Sequence, residues 1–310
     1  MACTRGLSGA LPLRLATGQL SRTPLRVSTV QKLLGYLDLE RLDRDLFRGE
    51  NPPSKRPRVF GGHVLGQGLV AAQRTVDGRP AHSLHAYFLR PGNPMLPTIF
   101  EVDRIRDGRS FTTRRVVAMQ EGEAILNMSV SFQIESEGLE YQMAPPPGGM
   151  EPEGMPYQDE MREGLERLGF APPEGDMLFD PPVEVRTVDG MCFFDEGSGS
   201  PTFRSWVSAR GELPDDPALH QAVLAYASDM TLGGTIIKAH KISVTQGFLS
   251  ASIDHAMWFH RPVDVGDWLL FTQECVVTHG TRGYARGTFF SRDGNVVASC
   301  TQEGLLRVGK

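Results

Sequence analysis

The sequence predicts an α+β fold in which one unit, a helix packed on an antiparallel sheet, occurs twice. Three observations support this prediction. Each half of the chain contains one amphipathic helical segment, and strand-like segments follow that helix in both halves. In addition, residues 108–130 align without a gap against residues 280–302, at a constant offset of 172. We therefore interpret the chain as a duplicated unit.

The two helices are predicted by apolar residues that recur at positions i, i+3 or i+4, i+7 and i+11, a spacing that buries one face of a helix. In the first half these residues are Leu65, Leu69, Ala72 and Val76. In the second half they are Leu219, Ala222, Val223, Tyr226 and Met230. The second helix also has a well-defined start, because Asp216 can cap it and Pro217 suits the first helical position.

The strands are clearest between residues 126 and 134, where apolar and polar side chains alternate as in a strand with one buried face. The apolar residues of this segment are Leu126, Met128, Val130, Phe132 and Ile134. Turn sequences at residues 120–122 and 292–294 occupy equivalent places in the two halves. Each turn links two strand-like segments, which predicts a β-hairpin in each half.

The predicted organisation has four parts. Residues 1–30 form an N-terminal extension, residues 31–140 the first unit, residues 141–182 a linker rich in Pro, Gly and acidic residues, and residues 183–310 the second unit. A short helix at residues 158–168 is the one ordered piece expected in the linker. The extension contains four arginines and no acidic residue, which fits a transit peptide but also fits a disordered segment or a misplaced start.

Composition excludes several classes of function. The chain of 310 residues has a formal net charge of −5 and no cluster of Lys and Arg, so nucleic acid is not expected as a partner. No apolar segment is long enough to form a membrane-spanning helix. Cys3, Cys192, Cys275 and Cys300 lie far apart, which predicts free thiols in a reducing compartment. We therefore expect a cytoplasmic protein, or a mitochondrial one if residues 1–30 are a transit peptide; residues 308–310 are not a peroxisomal address.

Three polar residues of the second half are unusual for their positions. Gln302 lies on the apolar face of a predicted strand, where the first half has Val130, and a buried amide without a partner costs about 1–3 kcal/mol. Asp229 lies in the last turn of its helix, where the macrodipole disfavours a carboxylate. Ser252 stands where the first half has Ala81. Each has an ordinary explanation, a solvated or loop-capping Asp or a simple strand Ser, but together they predict a site in one copy only.

Other chemistries are less well supported by the sequence. Ser252 and His255 are not expected to meet along one strand, and the nucleophile motif G-x-S-x-G is absent, so a covalent serine mechanism is disfavoured. His85 and His255 are candidates for a supporting or packing role, and His85 is the first to test. Histidine spacings do not fit a metal site, and the glycines at residues 61–68 do not form a phosphate-binding loop. No metal or cofactor is expected.

Several motifs, in order and in spacing, closely resemble those of the type II acyl-CoA thioesterases, a family that includes a bacterial enzyme and its peroxisomal relative. The resemblance extends from about Leu34 to Val308. The motifs are LFRG at 46–49, VFGG at 59–62, HSLHAYFLRPG at 82–92, YASD at 226–229, IDHAMWFH at 253–260 and QEG at 302–304.

The resemblance implies two tandem hotdog domains, each an antiparallel sheet wrapped around a central helix, and hydrolysis of an acyl-CoA to a free acid and CoA. Its catalytic Asp, Ser or Thr, and Gln match Asp229, Ser252 and Gln302. In such a site the carboxylate activates a water that the other two side chains hold, and the first half is catalytically silent. By analogy we expect a dimer or tetramer and substrates of medium to long chain. A hotdog hydratase or dehydratase, and an acyl-CoA binding protein without turnover, are the alternatives.

Overall fold

The computed structural model describes residues 29–54, 56–146, 151–155, 180–190, 199–240, 242 and 248–308. Nearly all of the N-terminal extension, the helix predicted at residues 158–168, and the cysteines Cys3 and Cys192 lie outside these ranges. Cys275 and Cys300 are free thiols. No helix within the described ranges is long and apolar enough to cross a membrane.

The first half contains helices α1 and α2 and strands β1–β6. Their bounds are α1 Thr29–Leu37, β1 Glu40–Asp43, β2 Leu46–Gly49, α2 Gly61–Gln73, β3 Ala81–Phe88, β4 Thr98–Asp107, β5 Phe111–Gln120 and β6 Glu123–Gln133. The helix predicted from the first apolar stripe is α2, which is buried over most of its length. The predicted hairpin is formed by β5 and β6, which pair up to Gln120 and Glu123 on either side of the turn.

The second half contains helices α3 and α4 and strands β7–β13. Their bounds are β7 Val183–Thr187, β8 Thr202–Ala209, α3 Pro217–Ser228, α4 Leu232–Lys238, β9 Phe248–Ser252, β10 Asp254–Phe259, β11 Leu269–His279, β12 Arg282–Ser291 and β13 Val296–Val308. The predicted cap of the second helix is confirmed, because Asp216 Oδ1 accepts a hydrogen bond of 2.9 Å from the Ala218 N–H. Proline stands at the first position of α3, also as expected.

The strands in the described part of the chain form one antiparallel sheet that runs through both halves. The halves meet where β3 pairs with β10, with Leu84 opposite Met257. Helices α2 and α3 pack against each other inside the curved sheet, and a Cβ on Gly62 would lie only 2.5 Å from the Tyr226 carbonyl oxygen. This close helix contact therefore requires glycine at position 62. The predicted α+β class and the repeated unit are both confirmed, whereas the domain bounds stay a prediction.

The constant offset of 172 between the repeats is wrong for one strand pair. Strands β5 and β12 have equal length, and their bounds differ by 171. Strand pairing places Arg114 opposite Val130 and Ala285 opposite Gln302. The turn after β12 is longer than the turn after β5, which absorbs the difference. The structural counterpart of Arg114 is therefore Ala285, although the sequence alignment matched Arg114 with Arg286.

Candidate active site

Asp229 directly follows α3, but its carboxylate lies at the N-terminus of α2 in the other half. The residue is only 9% exposed, and Asp229 Oδ2 accepts a hydrogen bond of 2.8 Å from the Gly62 N–H. Phe60 provides no side-chain cap for α2, so Asp229 provides it. The sequence predicts that the negative end of the α3 dipole disfavours this carboxylate, and the positive end of the α2 dipole offsets that effect. A Cβ on Gly61 would lie 2.7 Å from Oδ2, so glycine is needed there too.

Ser252 and Gln302 join Asp229 in one hydrogen-bonded cluster. The Ser252 hydroxyl donates to Asp229 Oδ1 at 3.3 Å, and Gln302 Nε2 donates to Ser252 Oγ at 2.7 Å. Strand pairing explains why these side chains meet. Strand β9 lies beside β13, and Ser252 is opposite Gly304. Gly304 is two residues from Gln302 on β13, so the two positions are on the same face of the sheet. The structure thus brings together the three polar residues that the repeat comparison identified.

His255 extends this cluster through Gln302. Its Nδ1 lies 2.9 Å from Gln302 Oε1, and its Nε2 lies 2.9 Å from the Ser228 hydroxyl. His255 is fully buried. Ser252 and His255 both contact Gln302, since the chain leaves strand geometry between β9 and β10 at Ile253. They contact different atoms of the amide, so the arrangement is not that of a Ser-His nucleophile pair.

The direction of each hydrogen bond follows from the donor inventory of these side chains. Ser252 gives its single hydroxyl proton to Asp229, so Gln302 must face Ser252 with its NH₂ group and His255 with its carbonyl oxygen. His255 must then carry its proton on Nδ1, and its Nε2 shares the single Ser228 hydroxyl proton with the Ala225 carbonyl oxygen, which lies 2.8 Å from that hydroxyl. The donors of His255, Gln302 and Ser252 form a chain that ends at the carboxylate of Asp229.

Burial shifts the acid–base properties of both titratable residues. Loss of solvation raises the pKa of Asp229 to about 6, although hydrogen bonds from Gly62, Gln302 and Ser252 and the charge of Arg58 oppose the shift. Burial also lowers the pKa of His255 to about 4, against the effect of its bond to Gln302. At neutral pH the cluster therefore holds a carboxylate poised to accept a proton, and a neutral imidazole.

His85 lies away from the cluster. It is exposed on β3, and its ring meets the Trp258 ring edge-on with centroids 5.2 Å apart. Sequence reasoning missed the roles of Gly62, at the start of α2, and of Ser228. The same reasoning left His255 undecided, although a signal was available. The offset of 171 that relates Ser252 to Ala81 also relates His255 to Leu84, a buried apolar residue in the first half.

Two cavities lie close to the cluster in the described part of the chain. The first, here the arginine cavity, has about 590 Å³ of empty space open to solvent, and its lining includes Asn51, Arg56, Arg58, Phe60, His63 and Met230. The second, here the β9 cavity, has about 260 Å³ of empty space, which is also open to solvent, and its lining includes Gly233, Ile236, Ile237, Ser252, Gln302 and Leu306. The β9 cavity is bordered directly by two members of the cluster. Within the described ranges, no group of three His, Cys, Asp or Glu side chains is placed to hold a metal ion.

The equivalent place in the first half is filled by an arginine. Arg114 is 1% exposed, and its guanidinium donates to Thr75 Oγ1 at 2.8 Å and to Asp107 Oδ1 at 2.6 Å. Thr75 lies just beyond the end of α2, much as Asp229 follows α3. Since Ala285 is the counterpart of Arg114, the second half has no long polar side chain at this position.

This architecture, with two helices inside one continuous sheet and a buried polar cluster between the halves, defines a double hotdog protein. A hot dog fold protein from Alicyclobacillus acidocaldarius has the same fold, with a TM-score of 0.73 at 20% identity over 90% of this chain and 99% of that chain. The crystal structure of acyl-CoA thioesterase II TesB2 from Mycobacterium marinum is similar with a TM-score of 0.73 at 38% identity, over 90% and 99% of the two chains.

Sequence comparisons identify the family. A family model described as acyl-CoA thioesterase matches residues 181–305, and one described as the acyl-CoA thioesterase N-terminal domain matches residues 51–133. Acyl-CoA thioesterase 2 of Haemophilus influenzae is 37% identical, over 90% of this chain and 98% of that protein. Acyl-coenzyme A thioesterase 8 of Homo sapiens is 34% identical, over 88% of each. The chain belongs to the type II acyl-CoA thioesterase family.

Proposed function

We propose that this protein hydrolyses acyl-CoA thioesters to a free acid and CoA, with Asp229 as the general base and Ser252 and Gln302 as the groups that hold the attacking water. The observation that carries the proposal is the single cluster that these three side chains form in the second half. A buried carboxylate with a pKa of about 6 is suited to accept a proton near neutral pH.

The reaction needs no covalent intermediate. Asp229 takes one proton from the bound water as the water oxygen attacks the thioester carbon, and a tetrahedral oxyanion forms. When this intermediate collapses, the C–S bond breaks, and protonated Asp229 returns its proton to the departing CoA thiolate. Orientation of the water and stabilisation of the oxyanion supply most of the rate enhancement in such a mechanism.

The oxyanion is best placed at the start of α2. The Gly61 N–H has no hydrogen-bond partner among the described residues, and the adjacent Gly62 N–H contacts Asp229. Both amides belong to the positive end of a buried helix, which favours a developing negative charge. In this proposal the first half supplies the oxyanion donor and the second half supplies the base.

The β9 cavity is the proposed site of the acyl chain. Gln302 and Ser252 border it, and the aliphatic side chains of Ile236, Ile237 and Leu306 line it. A cavity with these aliphatic side chains next to the water-binding groups suits an acyl group whose carbonyl carbon must reach the water. We propose substrates of medium to long chain by analogy with the family.

The arrangement disfavours a hydratase, because both ring nitrogens of His255 are engaged by protein groups and neither is free for acid–base transfer. Thiol release from a panel of acyl-CoAs tests the proposal. Asp229→Asn is expected to lose at least about a hundredfold in turnover, in the range of a lost general base. Asp254→Asn is the matched control, since Asp254 accepts from the Glu303 N–H outside the cluster. Tight binding without thiol release by the unchanged protein would support a binding protein instead.

We also propose a homo-oligomer, a dimer or tetramer, and a cytoplasmic location. Exposed apolar side chains on the strands, including Tyr87, Ile105, Val276 and Val277, support association through the sheet. Light scattering on purified protein tests the first proposal. Imaging of fluorescent fusions with and without residues 1–30 tests the second, because a transit peptide would direct only the longer fusion to mitochondria.

A further inference from the structure

The wall of the arginine cavity contains two buried hydrogen-bond acceptors that the fold does not use. His63 Nδ1 and Asn51 Oδ1 are shielded from solvent, and neither has a partner among the residues that the structure describes. His63 is 0% exposed and belongs to the first turn of α2, two residues after Gly61. The cavity lining also includes Met230, the residue that follows Asp229 in the chain.

The protonation of His63 is fixed by its other nitrogen. His63 Nε2 lies 3.2 Å from the Glu50 carbonyl oxygen, which can only accept, so Nε2 carries the proton. Burial lowers the pKa of His63 to about 4, which keeps the ring neutral at physiological pH. Nδ1 therefore carries a lone pair that can accept a hydrogen bond. Asn51 is similar, because its NH₂ group donates to the Leu96 carbonyl at 2.6 Å while its oxygen has no donor.

Gln67, one turn further along α2, repeats the pattern. Its NH₂ group donates to the Glu50 and Tyr36 carbonyl oxygens, and its Oε1 is a third buried acceptor without a partner in the described chain. Protein folds seldom leave buried polar groups unpaired. Gln67 is not part of the cavity lining, so the two acceptors that belong to lining residues, those of His63 and Asn51, are the ones that indicate a ligand with N–H or O–H donors.

The two ends of an acyl-CoA differ in this respect. An acyl chain has no hydrogen-bond donor, whereas the pantetheine arm has two amide N–H groups and a hydroxyl, and it ends in phosphates. Arg56 and Arg58 add positive charge to the lining of the same cavity, which suits those phosphates. The Arg58 guanidinium also donates to the carbonyl oxygen of Ser250, a residue that lines the β9 cavity, so Arg58 lies between the two cavities.

We propose that the arginine cavity binds the pantetheine arm of the substrate, with His63 Nδ1 and Asn51 Oδ1 accepting from its N–H or O–H groups. This inference rests on the proposed acyl-CoA hydrolysis and adds the orientation of the substrate. The thiol arm approaches along the N-terminal half, and the acyl chain extends into the C-terminal half.

The test is His63→Gln in the full chain. Glutamine retains an N–H donor toward the Glu50 carbonyl and removes the acceptor at the Nδ1 position. His220→Gln is the matched control, because His220 Nε2 also faces a backbone carbonyl, that of Pro214, but His220 is not part of the cavity lining. Hydrolysis is measured for one acyl group carried as the CoA thioester and as the ethyl thioester, which has no donor.

We expect His63→Gln to lower the ratio of kcat/KM for the CoA thioester to kcat/KM for the ethyl thioester by about tenfold, the value of one hydrogen bond, mainly through KM. His220→Gln is expected to leave this ratio unchanged. An equal loss on both thioesters, or no loss on either, would overturn the proposal. A shift of the preferred acyl length in His63→Gln would also overturn it, since the acyl chain would then occupy the cavity.

Calorimetric titration with CoA itself separates this inference from the proposed function. Weaker CoA binding by His63→Gln than by His220→Gln supports the cavity assignment even if the unchanged protein hydrolyses no thioester. Unchanged CoA binding by His63→Gln, together with normal hydrolysis by the unchanged protein, refutes the cavity assignment alone.

Discussion

Replacement of Gln302 by valine tests the cluster most directly, because Val130 occupies the equivalent place in the first half. Gln302 donates to Ser252 and accepts from His255, so valine removes both bonds without adding bulk. The attacking water then loses one of its two holding groups. We expect turnover to fall at least about tenfold, as for a lost orienting group.

The same change has a calculable effect on stability. The His255 Nδ1–H would be left without an acceptor in a fully buried position, which costs about 1–3 kcal/mol of unfolding free energy. A second change, His255→Leu, copies Leu84 of the first half and removes that unpaired donor. The double variant should therefore regain most of the lost stability but none of the lost turnover.

Two measurements on each variant separate folding from catalysis. Thiol release at saturating acyl-CoA gives kcat, and urea unfolding followed by circular dichroism gives the free energy of unfolding. Thr301→Val is the control on the same strand, since Thr301 is next to Gln302 and faces the opposite side of the sheet. This control should keep both quantities close to those of the unchanged protein.

Two results would refute the reasoning. Full activity in Gln302→Val would remove the amide from the mechanism. Recovery of turnover in the double variant, in step with its stability, would mean that the single change acted through folding and that Gln302 does not hold the water.

Four further predictions follow, two on the base and one each on the acyl chain and the first half. Because water attack needs the Asp229 carboxylate and its pKa is raised to about 6, kcat/KM should rise with pH through about pH 6; a flat profile would exclude Asp229 as the base. Because the pKa of Asp229 is raised from 3.8 to about 6 in the folded protein, its ionisation lowers the free energy of unfolding progressively as pH rises from about 4 to about 6, so Asp229→Asn should gain about 3 kcal/mol of unfolding free energy at pH 8 and little at pH 4. Ile236→Ala enlarges the β9 cavity and should shift the hydrolysis profile to acyl chains about two carbons longer; an unchanged profile would contradict the acyl assignment. Arg114→Leu breaks bonds to Thr75 and Asp107 and should cost about 1–3 kcal/mol in urea unfolding with kcat unchanged, whereas a lower kcat would connect the two halves in catalysis.

The sequence alone contained enough information to locate the cluster, because duplication provides an internal reference. Each residue of the second half can be compared with a counterpart that has kept only the structural role. Gln302 is polar where the first half has Val130, and Ser252 is polar where the first half has Ala81. Both positions lie on strand faces that the pattern predicts to be buried. A cost of that kind persists where the polar group has a function. The comparison could not show which of these residues touch each other.

Two parts of the site could not be predicted from local pattern. Asp229 is unfavourable in the sequence because only the dipole of its own helix can be inferred from local pattern, whereas in the fold its carboxylate also lies at the N-terminus of α2 and accepts from the Gly62 N–H. Arg114 and Arg286 looked equivalent because an ungapped alignment ignores a longer hairpin turn. The one-residue shift moves an arginine from the exposed face of β12 to the buried face of β5, as one-residue shifts in strands do.

The division of roles between the halves explains why the first half is retained although it lacks the cluster. Its helix α2 begins at the carboxylate of Asp229, and Gly61 and Gly62 allow that approach only because they have no side chains. Without α2, the carboxylate would lose its Gly62 hydrogen bond and the positive end of a helix dipole. The first half therefore can have Arg114 near its own equivalent of the cluster without loss of the site in the second half. The start of α2 cannot change in the same way, because Asp229 of the second half depends on it. A duplicated fold of this kind can dispense with one of its two sites but not with either of its two halves.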